Sequence, residues 1–285
     1  MTGVCILNYN DAETTLILVE KISNYSIIDH IVIVDNYSTD DSYDRLKSIK
    51  NKKVNIIQSK KNGGYGSGNN IGVKYLVDTY ACDYVVICNP DVSFEEQCIQ
   101  VCVDFLMNNT SAVCVAPQML DRKGDVVRDC VWPITSGLTY LCFSLAIIGR
   151  FFKTTYKELG DGNIKNVDCV AGSLLIIDSA KFIDSGMYDE KLFLYCEETT
   201  LGIRFKKKQY YTYFLPQTVF IHLHSVSISK SFKKEIARKR LMWDSRLYVM
   251  KEYYNWNVLQ MMFAKTIRFI ALCEEWIKEL VKKHE

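Results

Sequence analysis

The sequence lacks the features that mark membrane-spanning, disulfide-rich and zinc-binding proteins. Its longest uncharged apolar run, residues 138–148, has 11 residues, whereas a helix that crosses a bilayer needs about 20. The 11 cysteines form no Cys-x-x-Cys pair, and most of them lie in apolar runs. Buried free thiols in a reducing cytosol are therefore expected. No basic or signal-like segment precedes the first apolar stretch, and so we expect a cytoplasmic protein.

Internal repeats and low-complexity linkers are also absent, which favours one body over a string of domains. With 48% hydrophobic and 24% charged residues, the chain can build a full core. Its charge is uneven, because residues 230–285 carry 13 Lys or Arg and 7 Asp or Glu while the whole chain has a net charge of +2. Residues 230–285 therefore have a net charge of +6 and residues 1–229 a net charge of −4, which indicates that the two parts bind different partners.

Short apolar strands alternate with helices over the first 117 residues. Strands are predicted at residues 4–7, 31–34, 54–57, 84–87 and 112–116, and helices at 12–24, 39–49, 68–80 and 94–107. The strands are continuously apolar, which is typical of a parallel sheet with helices on both faces. Ser38 and Asp41 predict a capping box for the second helix. Further strands are predicted at residues 170–177, 211–214 and 218–221, and the pattern is helical beyond Ser229.

Polar motifs follow the first four strands in a fixed order. They run Asn8-Tyr-Asn10, Asp35-Asn-Tyr-Ser-Thr-Asp-Asp-Ser42, Asn62-Gly-Gly-Tyr-Gly-Ser-Gly-Asn-Asn70 and Asn89-Pro-Asp91. The carboxyl ends of parallel strands are where open α/β sheets bind ligands. Because these motifs contain acids but no lysine or arginine, they indicate a metal-assisted site for a phosphorylated ligand.

Each motif has a functional reading and a plainer one. Asp35 is placed to accept hydrogen bonds from a base or ribose, or else only begins a turn. The glycine-rich loop suits a phosphate at a helix start, but it is neither a Walker loop nor a dinucleotide fingerprint. Asp91 suits Mg²⁺ or Mn²⁺, although Asn-Pro-Asp is also a common turn.

Two further motifs lie downstream. Glu197 and Glu198 form an acid pair in which burial and mutual repulsion would raise a pKa toward the range of a general base; the alternative is a solvated helix start. His222 ends an apolar strand and is either a metal or phosphate contact or a structural histidine. Taken together and in this order, the motifs favour the functional readings.

The full set resembles the family 2 glycosyltransferases with a GT-A fold, in particular the bacterial rhamnosyltransferases of surface polysaccharide assembly. The resemblance covers about residues 3–229. Its motifs are Asp35-Asn36 with Ser38, Asp40 and Ser42; Asn62, Gly64, Gly68, Asn69 and Gly72; Asn89-Pro-Asp91; and Gly172, Gly186–Glu190, Phe193–Tyr195, Glu197 and Arg204.

The resemblance implies a mostly parallel α/β sheet with a nucleotide-sugar half (1–117), an acceptor half (118–229) and a basic, amphipathic helical extension (230–285). Together with the motifs, it gives each candidate site residue an expected role. Glu198, with Glu197, would be catalytic, and Asp91 and His222 would hold Mg²⁺ or Mn²⁺. Nucleotide-binding residues would be Asn8, Asn10, Asp35, Asn36, Asn62, Gly64, Asn69 and Asn89, and acceptor-binding residues Trp132, Gly172, Tyr195 and Arg204. The reaction would invert the anomeric carbon.

Partners also follow from the resemblance. The donor would be a nucleoside-diphosphate sugar, dTDP-rhamnose first and a UDP-sugar next, and the acceptor a saccharide, often lipid-linked. The tail residues Lys230, Lys233, Lys234, Arg238, Lys239 and Arg240 would hold the protein on the anionic inner face of a bacterial plasma membrane. The alternative is a tail packed on the body or on a second subunit, as in a homodimer. No nucleic-acid partner is expected.

Two departures from the family pattern leave a second function open. The family usually has Glu-Asp where this chain has Glu197-Glu198, and Thr200 stands where an acid is usual. A non-catalytic saccharide- or nucleotide-binding protein on the same fold is therefore the alternative. A sugar-phosphate nucleotidyltransferase is disfavoured, because residues 6–10 lack the glycine-rich, basic loop that it would need.

Overall fold

The structure is a computed structural model that describes residues 1–143, 162–223 and 235–281, together with residues 145 and 156. Its strands are β1 Thr2–Asn8, β2 His30–Asp35, β3 Val54–Gln58, β4 Tyr84–Cys88, β5 Val92–Ser93, β6 Ala112–Leu120, β7 Val131–Trp132, β8 Lys165–Val167, β9 Cys169–Val170, β10 Leu174–Asp178 and β11 Tyr211–His222. Its helices are α1 Ala12–Ile22, α2 Ser42–Lys47, α3 Gly64–Tyr80, α4 Glu96–Asn108, α5 Gly137–Cys142, α6 Ser179–Asp184, α7 Glu197–Lys207, α8 Glu235–Glu252 and α9 Val258–Val281.

One large sheet organises the body, in the order β3-β2-β1-β4-β10-β6-β11-β5, with β8 also paired to β11. The first four strands of that order are parallel. β10 runs antiparallel to both β4 and β6, and β6 and β11 are parallel to each other. The predicted mostly parallel α/β sheet is therefore confirmed, with β10 as an antiparallel insertion at its centre.

Two predicted strand boundaries were wrong. The strand predicted at 170–177 is interrupted between β9 and β10, where the backbone of Gly172 and Ser173 bonds to other parts of the chain. The strands predicted at 211–214 and 218–221 are one strand, β11, whose register shifts between Leu215 and Val219. Pro216 lies at that shift and has no N–H for the ladder, which explains the local irregularity.

Two helix predictions also need correction. Helix α2 spans only Ser42–Lys47, because Ser38 does not begin a capping box: its hydroxyl donates to the Asp35 carboxylate and accepts the Asn10 N–H. Helix α3 begins at Gly64 rather than residue 68. Three of its first five residues are glycines, which have low helix propensity. The close contacts that favour glycine in this segment are described below.

The predicted helical tail is confirmed over its described residues, and it packs on the body. Trp243 and Met250 of α8 and Ala264 of α9 are fully buried in one apolar cluster with Leu141 and Leu192 of the body. Residues 224–234 and 282–285, which include His224, Lys230, Lys233 and Lys234, lie outside the described residues. Among the described helices, none has the length and apolarity needed to cross a bilayer.

The cysteines are free, as predicted. Nine are buried, and Cys196 and Cys273 are half-buried. Burial raises the pKa of several of these thiols, for example Cys5 and Cys114 to about 12, so that they behave as small apolar core residues.

Candidate active site

The carboxyl ends of β1 and β2 meet through a buried amide–carboxylate contact. Asn8 donates from Nδ2 to Asp35 Oδ1 at 3.0 Å, and both side chains are fully buried. The other Asp35 oxygen accepts the Ser38 N–H at 3.1 Å and the Gln58 amide at 3.2 Å. A direct contact between Asp35 and a base would require one of these protein donors to move. Its nucleotide-binding role stays a prediction.

Asparagine side chains tie the neighbouring loops together. Asn10, with a left-handed φ of 53°, accepts the Thr39 N–H at 2.8 Å and so joins the loop after β1 to the loop after β2. Asn36 donates to Asn62 Oδ1 at 3.0 Å and to the Gly64 carbonyl at 3.1 Å. Three of the predicted motifs therefore form one connected set of loops at this edge of the sheet.

Gly64 brings the glycine-rich loop against the acceptor side. It has φ of +85°, and a Cβ built there would lie 2.0 Å from the Phe193 carbonyl oxygen. The next residue, Tyr65, donates its N–H to that same oxygen at 3.0 Å. Only glycine fits at position 64, both for its backbone conformation and for this close approach.

Tyr65 links the glycine-rich loop to the acid pair. Its hydroxyl donates to the Gly172 carbonyl, and the Gly172 N–H donates to Glu198 Oε1 at 3.2 Å. Burial, followed by the charge of Glu198, holds the pKa of Tyr65 well above its ordinary value. Tyr65 was missed by the sequence analysis, although a large aromatic residue among glycines was a usable signal.

The acid pair begins α7 after a strained turn. Tyr195 and Cys196 both have left-handed φ values, 72° and 73°, which are uncommon for such residues and occur most often at functional sites. Glu197 is 3% exposed, and its Oε1 has no hydrogen-bond partner among the described residues. Glu198 is half-buried.

Burial sets the protonation of this pair. It raises the pKa of Glu197 to about 8, and the charge of Glu198 adds to that shift. Burial also raises the pKa of Glu198, while hydrogen bonds from its own backbone and from the Gly172 N–H oppose the shift. Glu197 is therefore protonated at neutral pH, and Glu198 is the member of the pair whose carboxylate accepts a hydrogen bond from the Gly172 N–H.

Asp91 and His222, the two predicted metal ligands, lie next to each other. Asp91 follows β4, and His222 ends β11 beside β5. The Asp91 Oδ1 and His222 Nε2 atoms are 3.3 Å apart. Ligands at neighbouring corners of an octahedral Mg²⁺ lie about 3 Å apart, so this spacing fits two ligands of one divalent ion. In the described part of the chain, no cluster of three or more His, Cys, Asp or Glu side chains could hold a metal ion, and a metal-binding role for Asp91 and His222 stays a prediction.

The predicted acceptor residues hold the loops around the acids. Trp132, on β7, donates its indole N–H to Thr199 Oγ1 at 3.3 Å. Arg204 donates to the carbonyls of Gly186 and Met187, both at 2.8 Å, and to the Tyr253 hydroxyl at 2.9 Å. Since these protein contacts occupy its guanidinium, Arg204 positions the loop before the acids. Direct acceptor contacts by these residues stay predictions.

Two positioning residues were missed. The Asn70 amide bonds to both the N–H and the carbonyl of Tyr188, whereas Asn69, which was predicted to bind nucleotide, is fully buried and donates to the Tyr65 carbonyl at 3.0 Å. Asp189 accepts from the hydroxyls of Tyr248 and Tyr253 on the tail. Nothing local in the sequence paired these residues, because each contact spans more than 50 positions.

Comparison with known proteins adds a family match. The model for the family described as "Glycosyl transferase family 2" matches residues 3–154. The low-salt glycan biosynthesis hexosyltransferase Agl10 of Haloferax volcanii is 25% identical, over 94% of this chain and 87% of that protein. The N-acetylglucosaminyl-diphospho-decaprenol L-rhamnosyltransferase of Mycobacterium tuberculosis is 24% identical over 67% of this chain, which spans 66% of that relative.

Solved structures share the fold. The mannosyltransferase PcManGT from Pyrobaculum calidifontis, in complex with GDP-Man and Mn²⁺, superposes with a TM-score of 0.59 at 12% identity. The superposition covers 95% of this chain and 70% of that one. At this identity the likeness is one of fold.

Proposed function

Because this chain belongs to glycosyl transferase family 2 and has the GT-A fold, we propose that it transfers a sugar from a nucleoside-diphosphate sugar to a hydroxyl of a saccharide, with inversion at the anomeric carbon. One observation carries the proposal: the turn formed by Gly172 and Ser173 bonds both to the segment that contains Asp91 and to the acid pair. The Ser173 carbonyl accepts the Asn89 N–H at 2.9 Å, beside Asp91, and the Gly172 N–H holds Glu198.

On the donor side, Asp91 and His222 would hold Mg²⁺ or Mn²⁺, which when bound neutralises the charge of the leaving diphosphate. The connected loops of Asn8, Asn10, Asp35, Asn36 and Asn62 form the floor for the nucleotide. At the start of α3 the N–H groups of Gly63, Gly64 and Tyr65 donate to Asn36, Asn62 and the Phe193 carbonyl, and these bonds hold that floor in place.

On the acceptor side, Glu198 takes the proton from the attacking hydroxyl. The hydroxyl oxygen then forms its bond to the anomeric carbon as the bond to the diphosphate breaks on the opposite face. The Gly172 N–H bonds to the Glu198 carboxylate and favours its charged form, which is the form that accepts the proton. General-base assistance of this kind contributes roughly 10²–10⁴-fold to a rate.

The donor we favour is dTDP-rhamnose, with a UDP-sugar next, and the acceptor is a lipid-linked saccharide in surface polysaccharide assembly. The support is the similarity to the mycobacterial N-acetylglucosaminyl-diphospho-decaprenol L-rhamnosyltransferase. Such an acceptor places the protein, as a peripheral protein, at the anionic inner face of the plasma membrane. A homodimer formed through the tail is the competing arrangement.

The test is thermal stabilisation by dTDP, UDP and GDP, each with Mn²⁺ or with EDTA. A ligand at 100 times its Kd adds about 2.7 kcal/mol of stability, which is visible as a shifted melt. We expect a shift with one nucleotide that requires Mn²⁺ and is lost in Asp91→Asn. Asp78→Asn, at an exposed aspartate on α3, is the matched control. No shift with any nucleotide would contradict the proposal.

The non-catalytic alternative has one observation in its favour. Thr200, where the family usually has an acid, is fully buried and donates its hydroxyl to the Glu197 carbonyl at 2.9 Å, so the site has lost one carboxylate. Turnover of dTDP-rhamnose with a saccharide acceptor distinguishes the two functions. A binding protein would show the nucleotide-dependent shift without forming product.

A further inference from the structure

Helix α9 exposes an unusual amount of apolar side chain. Eight of its large hydrophobic residues are between 45% and 77% exposed: Val258, Leu259, Met262, Phe263, Phe269, Ile270, Trp276 and Ile277. On monomeric soluble proteins a contiguous apolar patch of this kind marks an interaction surface. We call these eight residues the α9 face.

The α9 face is a single stripe without charge. With 3.6 residues per turn, all eight side chains fall within an arc of about 140° around the helix axis. Between Val258 and Ile277, the only other residues in that arc are Thr266 and Cys273. The stripe is about 28 Å long at 1.5 Å per residue. The opposite side of the helix carries Ala264 and Ala271, both fully buried in the cluster shared with α8. The helix is therefore anchored on one side and open on the other.

We propose that the α9 face lies flat on an anionic phospholipid bilayer, with its aromatic and aliphatic side chains inserted at the level of the headgroups. Helices with a tryptophan- and phenylalanine-containing apolar face and lysines on the polar side behave in this way, and Trp276 and Phe269 lie in the stripe. Lys265 and Lys278 are exposed outside it. The proposal rests on the proposed function in one respect, the lipid-linked acceptor.

Charge favours a bilayer over a second copy of the chain. Residues 230–285 carry 13 Lys or Arg against 7 Asp or Glu. Two such tails packed face to face would bring two positive segments together, whereas anionic headgroups attract basic residues near the surface.

The proposed docking surface is connected to the active site through α8. Helix α9 packs on α8, and Ser245 of α8 donates to the Leu194 carbonyl at 2.7 Å, three residues before the acid pair. A bilayer under α9 would therefore support the acceptor side of the cleft.

The experiment is co-sedimentation of the full chain with phosphatidylcholine vesicles, with and without phosphatidylglycerol. The test variant replaces Leu259, Phe269 and Trp276 by Glu. The matched control replaces Ile17, Met107 and Val126 by Glu, at apolar side chains of the body that are 65%, 62% and 56% exposed. We expect the test variant to lose at least about tenfold in affinity for the anionic vesicles, because burial of even one such side chain is worth about that factor. The control should bind as the wild type does.

A second measurement needs no disruptive variant. Brominated lipids should quench part of the tryptophan fluorescence of the wild-type protein, and Trp276→Phe should abolish that part. Any one of three results would overturn the proposal. The wild-type protein fails to bind anionic vesicles, the test variant binds them fully, or quenching by brominated lipids persists in Trp276→Phe. A wild-type dimer that the test variant dissociates would assign the α9 face to a second copy instead.

The experiments distinguish a failure of the docking proposal from a failure of the proposed function. Turnover with a water-soluble acceptor measures the chemistry without a membrane. If turnover is normal in the test variant while vesicle binding is lost, both proposals stand. If vesicle binding is present but no nucleotide binds and no product forms, the docking proposal survives and the proposed function does not.

Discussion

The side chains of the acid pair differ in environment although they are neighbours in sequence. Glu198 is half-buried and bonded to the Gly172 N–H, whereas Glu197 is 3% exposed and holds the proton. Burial raises the pKa of both, but the Gly172 N–H opposes the rise for Glu198, whereas the charge of Glu198 adds to the rise for Glu197. The difference allows each residue to be tested by its own variant.

Glu198→Gln should lower turnover by about 10²–10⁴-fold, because the general base is removed while the shape is kept. Nucleotide-dependent thermal stabilisation should be unchanged, since Glu198 does not belong to the donor loops. Wild-type turnover should also fall as the pH is lowered through the raised pKa of Glu198, because only the carboxylate accepts a proton. Glu20→Gln, at an exposed position on α1, is the control. If Glu198→Gln keeps its turnover and Glu197→Gln loses it, the roles assigned to the two acids are reversed.

Glu197 should make the folded protein less stable as pH rises. Its pKa is raised from 4.5 to about 8 in the folded state, so the folded chain binds a proton that the unfolded chain has released. The associated stability is fully present below pH 4.5 and is lost as pH rises to about 8, at up to about 1.4 kcal/mol per pH unit. Glu197→Gln should flatten that slope in urea unfolding between pH 5.5 and 7.5. An unchanged slope would show that Glu197 is charged in the folded protein.

At the residue scale the sequence predicts which chemical groups converge but not which of them act directly. The Asp91–His222 pair was predicted from two strand ends, and the structure brings the two atoms to 3.3 Å. Asp35 and Arg204 were predicted as ligand contacts, yet their polar atoms bond mainly to the protein. Those partners lie far away along the chain, and no local pattern in the sequence reveals them.

At the scale of elements, the glycine-rich loop depends on the close approach of Gly64 to the Phe193 carbonyl. The effect of that approach can be measured separately from the effect of a left-handed backbone. Gly64 and Gly124 have nearly the same φ, +85° and +87°. A Cβ at Gly64 would lie 2.0 Å from the Phe193 carbonyl oxygen, whereas a Cβ at Gly124 meets nothing within 4 Å. The two glycines therefore form a matched pair.

Gly64→Ala should destabilise the protein more than Gly124→Ala and should also impair turnover. Both variants carry the cost of a left-handed alanine, about 1–2 kcal/mol. Only Gly64→Ala must push α3 away from the Phe193 segment and so shift Tyr65 from Gly172. Urea unfolding and turnover of the two variants check this. Equal destabilisation with equal turnover would mean that the loop tolerates the displacement.

Element order and the parallel direction of the first four strands were predictable, whereas the antiparallel direction of β10 was not. The alternation of apolar runs with helices gave the four parallel strands, and their motifs identified the family that the match over residues 3–154 confirms. The antiparallel placement of β10 between β4 and β6 is decided by pairing with strands more than 60 residues earlier. Likewise, the start of α3 among glycines follows from packing against Phe193, which overrides local propensity.

At the scale of the whole molecule, the tail packs on the body through an apolar cluster of its own and through polar contacts. Asp189 of the body accepts the hydroxyls of Tyr248 and Tyr253 at 2.8 and 2.7 Å, and its Oδ2 lies 3.3 Å from Arg204. Burial opposes the charged form of Asp189, but hydrogen bonds from Tyr253, the Lys191 N–H and Tyr248 outweigh it and hold its pKa below the ordinary value. The tail is thus joined to the loop that precedes the acids.

Heating should therefore unfold the chain in one transition, with α8 and α9 melting together with the sheet. Asp189→Asn should lower the temperature of that whole transition, because charged hydrogen bonds of this kind contribute about 1.5–3 kcal/mol each. Asp184→Asn, which removes an ion pair to Lys208 between half-exposed side chains, should change stability by less than about 1 kcal/mol. Calorimetry checks both variants. The contrary outcome is an early, separate transition in the wild type that Asp189→Asn shifts while the main transition stays fixed. It would mean that α8 and α9 fold as a unit of their own. Binding of α9 to a bilayer could then not stabilise the acid pair through α8.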